Sequence, residues 1–193
     1  ARPMGARILV DAVHYAAHFK IDVSQLDIDF LLCSAYKFYG PHVGILYCRP
    51  GLLNTLPTDR LRTQDAEAPY RIETGTLNHA AIAGVGAAID FIASLGQGDT
   101  YTSQLTRAMQ QIHQHEMDLV RRLAEGLQEI PGIKIYGPPV VQGHRAPTVA
   151  FTHEQCTPAA LCQHLGKEGI CAWDGHFYAI RATEVLHLLE RGG

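Results

Sequence analysis

The chain has 193 residues, is 47% hydrophobic and 18% charged, and carries a formal net charge of −3. That reads as an ordinary soluble globular protein with a real core, long enough for one domain or one and a half. It excludes the basic stripe needed for nucleic acid, and no apolar run reaches the length of a membrane span.

In chain order, "RILVDA" reads as a short apolar strand ending at Asp11, and "HYAAHFKIDVSQLDI" as loop with a short helix. "DFLLCSA" is a continuous apolar strand of the kind buried on both faces of a parallel sheet. "PHVG" is a turn into a third strand, "VGILYCR". "PGLLNTLP" is a helical turn, and "TDRLRTQDAEAPYRIETGTLN" is a long polar loop of a length usually kept for function. "HAAIAGVGAAIDFIASLG" is a small-residue helix. A long amphipathic helix follows, roughly Ser103 to Leu127, with Leu105, Met109, Ile112, Leu119, Leu123 and Leu127 as one apolar stripe. Beyond it "PGIKIYGPP" and "APTVAFTH" are strands. "TPAALCQHLGKEG" is a helix capped by Thr157 with Pro158 in its first turn. "ICAWDG" is a strand and turn, and "ATEVLHLLERGG" is a final helix. The expected division is 1–100 as part of a large parallel-sheet domain, 101–128 as a connecting helix, and 129–193 as a smaller α/β unit.

Five scattered cysteines, none in a CxxC pair, argue against a disulfide framework or a zinc site and suit a reducing cytosol. Eleven histidines show no metal-ligand spacing; His113 and His115, two apart on a helix, face different ways.

Chemistry concentrates at two strand ends. Asp11 closes the first strand, and Lys37 stands just past the second, inside the apolar, aromatic run "SAYKFYGPHVGILY". In an open α/β sheet ligands gather at the carboxyl ends of strands. Pyridoxal phosphate wants such a pair: a lysine for the Schiff base and an aspartate to keep its pyridine nitrogen protonated. Arginine could not replace Lys37, because its guanidinium stays protonated. Ser34 could donate to the phosphate. The plainer alternatives are a solvated loop lysine and an Asp that caps a helix.

"VDAVHYAAHFKIDVSQLDIDFLLCSAYKFYGPHVGILY" resembles the cofactor-lysine segment of the class V aminotransferase family, in its cysteine-desulfurase-like branch, and "ETGTLNHAAIAGVGAAIDF" resembles the same family's E-x-G-T-x-N segment. The resemblance implies a partial fold-type I pyridoxal-phosphate-dependent transferase fold. Lys37 would be the Schiff-base lysine, Asp11 the partner of the ring nitrogen, and His14 the neighbour of the ring's phenolic oxygen. Ser34 and Tyr36 would bind phosphate. Thr76 would reach the phosphate of a neighbouring subunit's site, implying a homodimer. The implied substrate is an amino acid and the implied setting the cytoplasm. Relatives are about twice as long, so the chain is expected to be a piece lacking the N-terminal half and extreme C-terminus.

The departures are as informative. Desulfurases pass sulfur to a mobile cysteine, which in one branch falls where this chain has Tyr178 in "GHFYA". Cys171 is expected to be a small buried hydrophobe, and Cys33 and Cys48 to be buried in strands. Arg181 is the nearest candidate for a substrate anion, with a surface role preferred. Three readings therefore stand: an enzyme of transferase, lyase or epimerase chemistry, a true desulfurase using Cys171, and a non-catalytic piece that keeps the fold.

Overall fold

The computed structural model describes residues 2–140 and 145–192. The chain divides into two compact units, 1–115 and 116–193, the division falling inside a long helix.

In the first unit, strands β1 (Leu9–Asp11), β2 (Phe30–Ser34) and β3 (Gly44–Cys48) form a sheet of order β1-β2-β3. β1 and β2 are parallel, with Asp11 opposite Leu32. β2 and β3 are antiparallel, with Ser34 opposite Gly44. β1 and β2 match the expected parallel-sheet region, and β3 departs from it. Residues 35–43 hold only a single 3₁₀ turn, Ala35–Phe38, which is too short for the crossover that a parallel return needs. Residues 12–29 are long enough, and they make the β1-to-β2 crossover with a 3₁₀ turn at Tyr15–Ala17. β2 was also expected to be buried on both faces, but only Leu31 is fully so.

One apolar cluster packs Ala12, Ile28 and Leu31 beneath the sheet. A second joins the turn residues Ala35 and Phe38 to Ile92 of α2 (His79–Ser94) and to Ala108 and Met109 of α3 (Tyr101–Gln128). Between them, α1 (Leu52–Thr55) is a single turn. Asp29, just ahead of β2, is buried and still charged because it is fully partnered. It accepts the Ile8 N–H at 2.8 Å and pairs with Arg2 at 3.0 Å and Arg49 at 3.2 Å. This ties the starts of β1 and β2 to the end of β3.

α2 begins at an Asn78 cap whose Oδ1 accepts the Ala81 N–H at 3.0 Å. α3 is close to the expected span, but its stripe is misphased in the second half. Val120 and Ala124 are buried, whereas Leu119 and Leu123 are exposed. Val120 lies eleven residues beyond Met109, about three full turns, which returns it to the same face; Leu119 falls roughly 80° away.

In the second unit, β4 (Ile133–Tyr136) and β5 (Ala150–His153) pair antiparallel, Ile133 opposite His153. α4 (Pro158–Lys167) starts as expected, Thr157 Oγ1 accepting the Ala160 N–H at 3.3 Å with Pro158 in the first turn. Two expectations fail. "ICAWDG" forms no strand: Gly169 just before it and Gly175 at its end, both at positive φ, turn the backbone, and among the described residues this sheet holds only β4 and β5. The final helix is broken into α5 (Ile180–Val185) and a 3₁₀ turn, Leu189–Arg191, by His187 at φ 57°.

Candidate active site

The turn after β2 answers how an apolar run can contain a lysine. A 3₁₀ turn repeats every three residues, so positions 35 and 38 share one side. Ala35 and Phe38 face the core, and Tyr36 and Lys37 consequently point outward. The lysine is exposed, and no burial cost arises. Tyr39 takes a left-handed φ of 69°, after which the Gly40 N–H donates to Ala35 O at 2.9 Å. A side chain at Gly40 would put its Cβ 2.8 Å from Ala35 Cβ, so the closing residue must be glycine. The Ala35 N–H also donates to Val43 O at 2.9 Å, and the Val43 N–H to Pro41 O at 2.8 Å.

On the outer side of this turn, Tyr36 stacks on His42 with ring centroids 4.8 Å apart and planes 10° from parallel. The Lys37 ammonium lies over the Tyr36 ring, 4.9 Å from its centroid, within cation–π range. Ser34, the last residue of β2, does not use its hydroxyl to cap the turn.

Asp11 sits at the carboxyl end of β1, and the parallel register sets it beside the last residues of β2. One of its oxygens accepts the Val13 N–H at 2.9 Å in a local Asx turn. The second accepts no hydrogen bond among the described residues. His14 is exposed just ahead of Tyr15–Ala17, the turn whose Ala16 and Ala17 pack against the cluster holding Ala35 and Phe38. The fold thus gathers Asp11, His14, Ser34, Tyr36 and Lys37 around two adjoining turns at the carboxyl ends of parallel strands. Thr76 is exposed in the loop before α2 and makes no described contact with that group. The loop closes on itself instead, around an open depression of about 470 Å³ lined by Leu61, Gln64, Tyr70 and Glu73 among others.

His42 was not anticipated from sequence. Its only available signal was the Gly-Pro turn at Gly40–Pro41, which brings the chain back past its own aromatic residues. The charged group Arg2, Asp27, Asp29 and Arg49 was also missed, because its members are scattered along the chain.

In the second unit, Tyr178 is 99% exposed and, like Phe177 before it, has a left-handed φ. His176 Nδ1 accepts the Tyr178 N–H at 3.1 Å. Cys171, expected to be buried, is exposed, because no strand forms around it. Cys33 and Cys48, also expected to be buried, are half-buried. Burial pushes the Cys33 thiol pKa up, and burial together with the neighbouring Asp174 carboxylate raises that of Cys162. Arg181 pairs with Glu184 at 3.0 Å on the surface. Among the described residues no group of three metal-ligating side chains occurs, and no helix is long and apolar enough to cross a membrane.

The sequence profile described as "Aminotransferase class-V" matches residues 1–189. A cysteine desulfurase of Serratia proteamaculans is 33% identical over an alignment covering 93% of this chain and 44% of the relative. Among solved structures, the apo cysteine desulfurase of Thermococcus onnurineus NA1 superposes with a TM-score of 0.80 at 27% identity, covering 95% of this chain and 46% of that one. A C-DES mutant with glycine covalently linked to its pyridoxal-phosphate cofactor shares the fold at TM-score 0.64 and 22% identity, covering 87% of this chain and 44% of that one. The chain belongs to the class V aminotransferase family. It carries part of the fold-type I architecture of pyridoxal-phosphate enzymes and spans about half the length of the curated relatives it matches.

Proposed function

We propose that this chain is the central and C-terminal part of a pyridoxal-phosphate enzyme of the cysteine-desulfurase-like branch, acting at the amino group or α-carbon of an amino acid. The observation that carries this reading is the placement of Lys37. It is held outward on a glycine-closed turn at the end of β2, while Asp11 stands with one free carboxylate oxygen at the end of the parallel neighbour.

The donor set suits the cofactor. Lys37 offers a primary amine, Asp11 a carboxylate for the ring nitrogen, and Ser34 and Tyr36 hydroxyls for the phosphate; His14 offers a ring nitrogen for the phenolic oxygen. Pyridoxal phosphate, when bound, supplies an electron sink for negative charge at the α-carbon. Lys37 then has two tasks: to hold the cofactor, and to take and return the proton at that carbon. Asp11 would supply the carboxylate that favours a protonated ring nitrogen.

Homodimerisation, with Thr76 reaching the partner's phosphate, belongs to the same reading. Support for it is the exposure of Thr76 at the end of the long polar loop. A cytosolic setting is supported by five free cysteines. The division into 1–100, 101–128 and 129–193 is retained as the domain plan of the longer protein.

Sulfur transfer is the finer question. A tyrosine hydroxyl cannot form a persulfide, and Tyr178 occupies the place where one branch of the family has its acceptor cysteine. Little sulfide release from cysteine is therefore expected. A second reading, a desulfurase using Cys171, is favoured by one observation, the exposure of that thiol.

The test is visible absorbance of the purified chain on adding pyridoxal phosphate. A band that appears in the wild type and is lost in Lys37→Ala supports the proposal; a colourless wild type contradicts it and favours a non-catalytic piece. Sulfide release from cysteine that vanishes in Cys171→Ala would select the second reading.

A further inference from the structure

Tyr36 and His42 are six residues apart, yet their rings lie face to face. The backbone explains how. The Ala35 N–H to Val43 O bond clips together the residues flanking the two rings, and the tight Pro41–Val43 turn projects His42 from its tip. Pro41 is itself fixed: a Cβ added at Gly84 of α2 would come within 3.2 Å of the Pro41 ring, so proline and helix are in close approach. The stack therefore rests on a clamped backbone at both ends, although both rings are exposed.

The same Tyr36 ring carries the Lys37 ammonium. A phenol ring free to change rotamer would offer that ammonium no fixed seat. A ring held by a parallel neighbour does, because stacking restricts it to one orientation. His42 touches none of the reacting atoms in this arrangement; its effect passes through Tyr36.

We propose that His42 is a positioning residue for Lys37. Stacked on Tyr36, it fixes the aromatic face over which the Lys37 amine lies, and so sets how readily that amine engages pyridoxal phosphate. The inference rests on the role given to Lys37 above. Only the flat ring is required, so phenylalanine serves in place of histidine.

The experiment is a titration of the full chain with pyridoxal phosphate, reading the concentration that gives half-maximal visible absorbance, beside the thermal midpoint of each variant. His42→Ala is expected to need on the order of threefold to tenfold more cofactor, the loss of a modest stacking and cation–π arrangement. His42→Phe is expected to return to within about twofold of wild type, with thermal midpoints of both variants close to the parent's. A His42→Ala titration like wild type overturns the proposal. So does a His42→Phe variant as weak as His42→Ala, or an affinity loss that merely follows a fallen thermal midpoint. Lys37→Ala separates the two levels. If it still develops the band, the role of Lys37 fails and the inference with it. If it stays colourless while the His42 variants match wild type, only the inference fails.

Discussion

Both units of this chain join strands and helices, but they bury different amounts of them. Residues 2–115 gather two apolar clusters around the sheet and turns, and a buried aspartate with two arginines fastens the strands. Among the described residues of 116–192, the buried side chains are Val120, Ala124, Thr183 and Leu188. There Trp173 is 83% exposed and Tyr178 99%. The lysine and aspartate of the proposed site stand on the anchored unit. Tyr178, the proposed departure from the desulfurase pattern, stands on a segment that pairs with no strand among the described residues. A group that must meet a cofactor within tenths of an ångström needs a fixed base; a segment freed of that duty tolerates replacement.

The largest effect that sharpens this contrast is expected at Phe38. It seats the lysine turn on α2 and α3, and Phe38→Ala should cost about 3–5 kcal/mol in urea unfolding. A loss no larger than that of an exposed site would break the claim that the turn is anchored. Next is Gly40→Ala, whose new methyl meets Ala35 and should cost roughly 1–3 kcal/mol. The matching change in the second unit, Gly166→Ala in α4, meets nothing within 4 Å and should raise stability by about 0.5 kcal/mol. Opposite signs in the two glycine variants' thermal midpoints are the prediction; equal signs would contradict it.

The smallest effect concerns acid. Hydrogen bonds and ion pairs hold three carboxyls of the first unit below the ordinary carboxylate range: the Ser24 hydroxyl for Asp22, Arg49 and Arg2 for Asp27, and the Ile8 N–H, then Arg2, for Asp29. A carboxyl depressed in the folded state contributes stability above its unfolded pKa, and that stability is lost as pH falls through the folded value. Below the ordinary carboxylate range, amide protection should therefore fall in residues 2–115 before 116–192. Solvent screening keeps the difference modest. Simultaneous loss in both units, or earlier loss in the second, would remove the electrostatic part of the contrast.

Helices α2, α3 and α4 were legible in sequence because periodicity and capping residues mark them locally, as Thr157 and Pro158 do for α4. The positions of the five strands among the described residues were legible for a similar reason. What escaped depends on partners distant in sequence. The direction of β3 follows from the length of its connection, and the failed strand at "ICAWDG" from the lack of a neighbour in the sheet among the described residues. The phase error at Leu119 and Leu123 arose from following leucines by size rather than by angle. The places of Asp11 and Lys37 at strand ends were legible because strand ends can be read from apolar runs. The outward aim of Lys37 was not, since it depends on which turn residues enter the core, and neither was the His42 stack.

The central claim is that the turn after β2 presents Lys37 to pyridoxal phosphate. Its most direct test is borohydride reduction of the cofactor-loaded chain followed by peptide mapping of the pyridoxyl group. The account predicts the label on Lys37. Label on Lys20, Lys134 or Lys167 instead, or spread over all four lysines alike, would contradict it.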